Sequence, residues 1–469
     1  MFRGIRHIHF VGAGGIGMCG LAELLHGQGY HVTGSDLLEA PTVERLRGLG
    51  IDVRIGHDGT NVGSADVLVY SSAIRANNPE LLAAEARNIP VIPRAEMLAE
   101  LMRPKLGIAV GGTHGKTTTT SMLAHLLDAA NLDPTCVVGG RVIAPGADRT
   151  GARLGQGELL VAEADESDGS FLRLTPVIAV VTNIDADHLE NYDSYEALET
   201  AFVDFANHVP FWGLAVLCLD HPGVQAILPR ISRRFTTYGL SPQAELSATD
   251  VEADGFGMRF AVRRKGEILG GIHIGLPGRH NVANAVAALA VALELDVPFG
   301  RAAAALESFV GVERRFETKG EVEGVRVVDD YGHHPAEVRA TLAAARIAHD
   351  GRLVVVFQPH RFTRTRDCFD DFATAFHDAD LLVVSEIYAA GEDPIPGVEG
   401  AGLADAIRAH GHRNTRFVAD LEAVADELPG ELRKGDLVIT LGAGSISDLG
   451  PRLLSKLEAA ATTSRGPGA

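Results

Sequence analysis

Short apolar runs alternate with amphipathic, helix-like stretches along almost the whole chain. The runs HIHFVG, DVLVYSSA, LGIAVGG, ELLVAEAD, VIAVVTNID, LVVVFQPH, DLLVVSEIY and DLVITLGAG read as strands. Each ends in glycine or polar residues and is followed by a helical pattern. That order predicts parallel α/β units, whose ligands gather beyond the carboxyl ends of the strands. One region breaks the rhythm: near 235–276, stretches such as GMRFAVRRKGEI alternate and predict a β-rich insert. The segment MRPKLG reads as a linker and GVERRFE as the start of a further block. Three α/β domains are therefore expected, at 1–103, 104–310 and 311–469. The outer two would be Rossmann-like, and the central one would carry a mainly parallel sheet.

Composition narrows the class. A chain of 469 residues exceeds one ordinary core. Hydrophobic residues at 46% and charged ones at 22% are those of a globular protein. A net charge of −19 argues against a nucleic-acid partner. Cys19, Cys136, Cys218 and Cys368 form no C-x-x-C pair, so neither a disulfide framework nor a zinc site is expected. No signal-peptide pattern precedes the first strand, and no apolar run approaches the roughly 18 residues that span a bilayer. A cytoplasmic protein with no membrane partner is expected, and TTSRGPGA reads as a disordered tail.

Two glycine loops carry the first chemistry. In HFVGAGGIGMCGLAELL, Gly12, Gly14 and Gly17 fit the dinucleotide pattern G-x-G-x-x-G, and Asp36 stands about where a ribose-binding acid belongs. Taken alone, this loop predicts a nicotinamide or flavin enzyme. The second loop, VGGTHGKTTTTSMLAHLLDAA, is more informative. A strand leads into Gly111, Gly112 and Gly115, then Lys116, Thr117 and Thr118, then a helix with Met122, Leu123, Leu126 and Leu127 on one face. Bare backbone lets N–H groups point at phosphate, the helix N-terminus adds positive potential, and Lys116 supplies a full charge. Thr117 is placed to ligate Mg²⁺. Val110 stands where the strict phosphate-loop pattern has glycine, so this is a shortened variant that predicts ATP or a relative.

The next strands of the same block end in acids: Glu163, Asp165, Glu166 and Asp168, then Asn183, Asp185, Asp187 and His188. On the sheet edge that carries the phosphate loop, a carboxylate and a histidine can hold divalent metal between phosphate and a second substrate. At least two of the six carboxylates are expected to be solvated loop acids instead.

As a set, GGTHGKTTTT, EADESDGSF, TNIDADH and GRHNVANAVAA resemble the Mur ligases of peptidoglycan synthesis. HFVGAGGIGMCGLAE, SSAI, DDYGHHPAE, FQPHRFTRTRD and GAGSI resemble the alanine-adding branch, in the family's order and over essentially the whole chain. The resemblance implies an N-terminal domain for a UDP-sugar, a central ATPase domain and a C-terminal domain for the amino acid. It implies that ATP phosphorylates the carboxylate of UDP-N-acetylmuramate and that L-alanine attacks the acyl phosphate. Carried over, Gly112, Thr113, His114, Gly115, Lys116, Thr117 and Thr118 bind ATP, with Lys116 on its phosphates. Thr117 holds one Mg²⁺, and Glu166 and His188 hold a second; Glu163 is the weaker substitute for Glu166. Asn281 and Asn284 are expected near the adenine. Several relatives carry a carbamylated lysine beyond the metal-binding histidine, whereas no lysine occurs here between Lys116 and Lys265.

In the last block, Arg361 suits the amino acid's carboxylate, because a guanidinium binds it bidentately. Tyr331, His333 and His360 are candidates to wall a methyl-sized pocket or orient the amine. Asp330 is a candidate for the ATP ribose, and Arg315, beside Arg314, for ATP after domain closure. The glycines of the first loop, Gly12, Gly14, Gly15 and Gly17, are then expected on the UDP-sugar diphosphate, with Asp36 toward the uridine and Ser71 and Ser72 at the next strand tip. A ligase that reattaches a recycled tripeptide is the near alternative, disfavoured by the Tyr331–His334 loop. A Rossmann oxidoreductase leaves the second loop unexplained, and a non-catalytic nucleotide switch leaves the third block unexplained. Oligomeric state is not legible in the sequence.

Overall fold

The computed structural model describes residues 2, 4–140, 151–187 and 191–465. All eight runs read as strands are strands in it, and they fall into three sheets. The first sheet has the order Asp52–Ile55, His31–Asp36, His7–Val11, Val67–Tyr70, Val91–Pro93, with every pairing parallel. His7–Val11 is central and buried throughout. The strands that follow it in sequence leave on its two sides, which opens a crevice at its carboxyl end, where the first glycine loop sits.

The second sheet has ten strands. Its parallel part runs Phe235–Gly239, Leu214–Cys218, Ile178–Val181, Leu106–Gly111, Leu159–Glu163, Thr135–Val137, and Ala152–Arg153 closes one edge antiparallel. Leu246–Asp254, Gly257–Arg264 and Glu267–Ile274 extend the other edge, as the alternating pattern near 235–276 predicts. Beneath the strand that feeds the second glycine loop, Phe171 packs against Phe202 and Phe205 with ring centroids 5.2 and 5.1 Å apart. Gly111 lies directly on Phe205, so a Cβ there would come within 3.2 Å of the ring. Helix Lys116–Ala129 buries Met122, Leu123, Leu126 and Leu127. Each such side chain contributes about 1.5–3 kcal/mol, so the loop rests on a rigid base.

The third sheet runs Glu317–Val322, Val325–Asp330, Leu437–Leu441, Leu353–Phe357, Leu381–Val384, Thr415–Phe417, parallel except for the first pair. Phe357, Phe372 and Phe376 fill one face, with centroid distances of 5.4 and 4.9 Å from Phe357. The closing helix, Leu449–Arg465, includes the first half of the tail expected to be disordered. Leu449 and Leu453 bury its opening turns among Val327, Val356 and Val438, and this anchors it.

By compactness the chain divides into two units, one of 1–250, 260–272 and 283–309 and another of 251–259, 273–282 and 310–469. Among the described residues, no helix is long and apolar enough to cross a membrane.

Candidate active site

The second glycine loop is built by the strand ends around it. Gly112 and Gly115 have φ of +129° and +80°, which favour glycine. A Cβ on Gly112 would collide with Thr182, and one on Gly115 would stand 2.8 Å from Asn284 Oδ1. His114 N–H donates to Asn183 Oδ1 at 2.7 Å, while Thr182 Oγ1 and Asn183 Nδ2 donate to the His114 carbonyl at 2.6 and 2.9 Å. Asp185 lies between His114 Nε2 and His221 Nε2, 3.3 and 3.2 Å away. Hydrogen bonds from those two imidazoles hold its carboxyl far below the usual range. Asn183 and Asp185 thus shape the loop rather than face a ligand.

Lys116 Nζ donates to Glu166 Oε2 at 2.7 Å and to the carbonyls of Gly112 and Thr113 at 2.8 and 3.1 Å. Burial works against its ammonium, but Glu166, Asp165 and Glu163 outweigh burial and raise its pKa. Thr117 Oγ1 donates to Glu163 Oε1 at 3.1 Å, and Glu163 Oε2 accepts from Gly139 N–H at 2.8 Å. Glu166 is 1% exposed, and its Oε1 has no hydrogen-bond partner among the described residues. Asp165 and Asp168 accept from the backbone of Ser167 and Ser170, two residues on, and so serve their own turns. Thr113 Oγ1 accepts from Asp185 N–H at 2.9 Å, and Thr118 is buried in the helix. His188 lies outside the described residues.

The first glycine loop lines a cavity of about 280 Å³, together with Ser71, Ser72, Arg94, Gly139, Glu163 and Asp165. Gly15, Ile16 and Gly17 supply the start of helix Ile16–Gly27, whose first amides the helix itself leaves unpaired. Gly12 and Gly14 lie behind this wall. Asp36 Oδ2 accepts from Gly14 N–H at 2.8 Å, and Gly12 N–H donates to the Ser35 carbonyl at 2.9 Å. Asp36 thus holds the loop's own backbone, and it is not among the lining residues of this cavity.

In the other compact unit, strand Val325–Asp330 ends at Tyr331 and helix Pro335–Ala348 begins with His334 as its cap. His333 N–H donates to Glu337 Oε2 at 3.0 Å. The rings of Tyr331, His333, His360 and Tyr388 form a row with successive centroid distances of 5.1, 5.7 and 5.7 Å. Burial pushes His333 and His360 down to about 3 and about 4, so both imidazoles are neutral at pH 7. Arg361 sits beside this row with φ +70°, and its N–H donates to the Tyr388 carbonyl at 2.8 Å. Its guanidinium has no hydrogen-bond or ion-pair partner among the described residues, in a backbone conformation that costs of order 1–3 kcal/mol. Arg315 lies over the Tyr331 ring at 5.0 Å and 3.4 Å from Glu337. Asp330 is buried and accepts from Phe316 and Gly332 N–H at 2.8 Å and from Thr341 Oγ1 at 3.1 Å. Three hydrogen bonds thus tie its carboxylate to the turn and to helix Pro335–Ala348. Asn281 donates to the Pro277 carbonyl at 2.8 Å, while Asn284 faces Gly115.

Models of the Mur ligase family match the chain three times: the catalytic domain over residues 7–106, the middle domain over 110–292 and the glutamate ligase domain over 314–444. The chain belongs to the Mur ligase family. Among relatives of this Mur ligase, the UDP-N-acetylmuramate–L-alanine ligase of Geotalea daltonii is 56% identical, covering 98% of this chain and all of that one. The ligase of the same name from Sorangium cellulosum is 57% identical over 99% of this chain and all of its own. The crystal structure of UDP-N-acetylmuramate–alanine ligase MurC from Thermotoga maritima superposes with a TM-score of 0.83, at 29% identity, over 97% of this chain and 100% of that one. A murein peptide ligase from Psychrobacter arcticus superposes at 0.70, with 25% identity, over 96% of this chain and 98% of that one. The three-domain α/β fold expected from the sequence is the fold of these structures, and a Rossmann oxidoreductase is set aside.

Sequence reasoning missed Arg94 and Tyr388, and it ranked Glu163 below Glu166. Each stands just beyond a strand's carboxyl end, after Val91–Pro93, at the end of the DLLVVSEIY run and at the end of Leu159–Glu163. The rule that ligands gather there would have found them.

Proposed function

We propose that this Mur ligase joins the amine of L-alanine to the lactyl carboxylate of UDP-N-acetylmuramate, with ATP converted to ADP and phosphate. The observation that carries this reading is 55–57% identity, end to end, to ligases bearing that name. A carboxylate resists an amine because it is an anion without a leaving group. Transfer of the ATP γ-phosphoryl to that carboxylate supplies one, and the amine then displaces phosphate from the acyl phosphate.

Residues 1–103 are assigned to the UDP-sugar, 104–310 to ATP and 311–469 to alanine. The diphosphate lies at the first amides of helix Ile16–Gly27, with Gly15, Gly17, Ser71, Ser72 and Arg94 around it. ATP lies on the second glycine loop, where Lys116 faces its phosphates and Asn284 supports Gly115. The residues present fit Mg²⁺: Thr117 and Glu163 pair hard oxygens at the helix start, and buried Glu166 Oε1 has an unfilled lone pair. Thr117 with Glu163 would hold one ion and Glu166 with His188 a second, in the absence of the carbamylated lysine. Bound there, Mg²⁺ neutralises charge that develops on the phosphates.

Arg361 holds the alanine carboxylate, and Tyr331, His333 and His360 wall its methyl. His333 and His360, held uncharged by burial, orient the attacking amine without competing for its proton. The reaction is placed in the cytoplasm. The test is phosphate release from ATP with UDP-N-acetylmuramate, scanned across amino acids. Stimulation by alanine above all others is expected; stimulation by a tripeptide alone would move the protein to the recycling branch.

A further inference from the structure

The GAGSI segment and, Tyr388 apart, the residues after Leu381–Val384 have no part in the proposed reaction. They surround a second cavity of about 370 Å³ at the carboxyl ends of the third sheet, lined among others by Gln358, Glu386, Tyr388, Ser445, Asp448 and Arg452. Tyr331, His333 and His360 are absent from that lining. Among the described residues, Tyr388 alone both belongs to the ring row and lines the cavity. Its ring stacks on His360 almost parallel, at an interplanar angle of 10°.

The backbone fixes that ring. Tyr388 N–H donates to the Pro359 carbonyl and its carbonyl accepts from Arg361 N–H, both at 2.8 Å, so His360 and Tyr388 form an isolated parallel bridge. Behind it, a Cβ on Gly444 would stand 2.5 Å from Tyr388 Cγ and 2.6 Å from Gln358 Oε1. Glycine at 444 is what lets the Tyr388 ring sit there. Two stacked rings, His360 and behind it Tyr388, therefore separate the methyl pocket from the cavity, and loss of the Tyr388 ring would leave His360 room to move back into that cavity.

We propose that Tyr388 sets the length limit for the amino-acid side chain, by closing the pocket at His360 off from the cavity behind it. This rests on the assignment of Tyr331, His333 and His360 to the alanine methyl. Tyr388 acts as a positioning and specificity residue: it backs His360 rather than touching reacting atoms.

The test measures kcat/KM for phosphate release with ATP, UDP-N-acetylmuramate and L-alanine, L-2-aminobutyrate or L-norvaline. One methylene in a tight pocket is worth roughly 10- to 200-fold. Tyr388→Ala is expected to lower the alanine-to-norvaline ratio about ten-fold or more, and Tyr388→Phe to keep the wild-type ratio. An unchanged ratio in Tyr388→Ala overturns the proposal, as does an equal loss of selectivity in Tyr388→Phe. If Tyr388→Ala is inactive with every amine, Tyr388→Leu is scored by the same ratio, and inactivity of both assigns the ring to folding and overturns the proposal. Failure of the wild-type protein to respond to alanine defeats the proposed function instead.

Discussion

Glu80, on helix Pro79–Ala86, reaches His9 and Ser35 of the first sheet. It is fully buried, yet its carboxylate accepts from His9 Nε2 at 3.0 Å, Ser35 Oγ at 2.6 Å, Asn61 Nδ2 at 2.8 Å and Asp58 N–H at 3.1 Å. Burial alone would raise its pKa, but the hydrogen bonds from His9, Ser35 and Asn61 prevail and lower it from 4.5 to about 2. Glu80→Gln keeps the shape and turns one acceptor oxygen into an NH₂ that faces donors. With the two donors on Oε2 left unpaired at about 1–3 kcal/mol each, part of it relieved by rotation of Ser35, the cost is about 2–4 kcal/mol. Hydrogen exchange of the His7–Val11 amides should then be about 30- to 1,000-fold faster at pH 7, since 1.36 kcal/mol is a factor of ten.

The sign of the pH dependence follows from the depressed value. The wild-type carboxylate contributes stability above 4.5 that is lost as pH falls toward 2, and glutamine has no such dependence. The gap between the two proteins should therefore narrow by about 1 kcal/mol from pH 7 to pH 4. Exchange within two-fold of wild type at pH 7, or a gap that widens in acid, refutes the reasoning.

Lys116→Ala should lower kcat by roughly 100-fold or more in the phosphate-release assay, as expected for a charge aimed at developing anion; near-normal turnover places the phosphates elsewhere. Arg361→Ala should raise the KM for alanine by about 10- to 100-fold, the worth of a charge-assisted hydrogen bond, with the KM for ATP little changed. An equal rise in both removes Arg361 from the amino-acid site. Gly115→Ala puts a side chain at φ +80° against Asn284 and should weaken ATP binding about ten-fold or more, read by nucleotide titration. Unaltered affinity means that the loop relaxes without cost.

The α/β class, the strands and the phosphate loop were legible in the sequence because they are local. Short β-branched apolar runs such as IAVV, bounded by turn residues, read as buried strands, and G-K-T-T after a strand reads as the opening of a helix with its amides bare. The family was legible for the same reason, since its motifs are short strand-end segments in fixed order. Which strand-end residues face a ligand was not local. Asp36 matches the spacing of a ribose acid, but the neighbouring strand carries it onto Gly14 N–H. Asp330, Asn183 and Asp185 likewise spend their side chains on turns and loops, because a buried amide or carbonyl must find a partner nearby. The sequence determined which chemical groups reach the carboxyl edges of the sheets. Only tertiary packing decided which of them the backbone claims and which, like Arg361 and Glu166 Oε1, are left with capacity for a substrate.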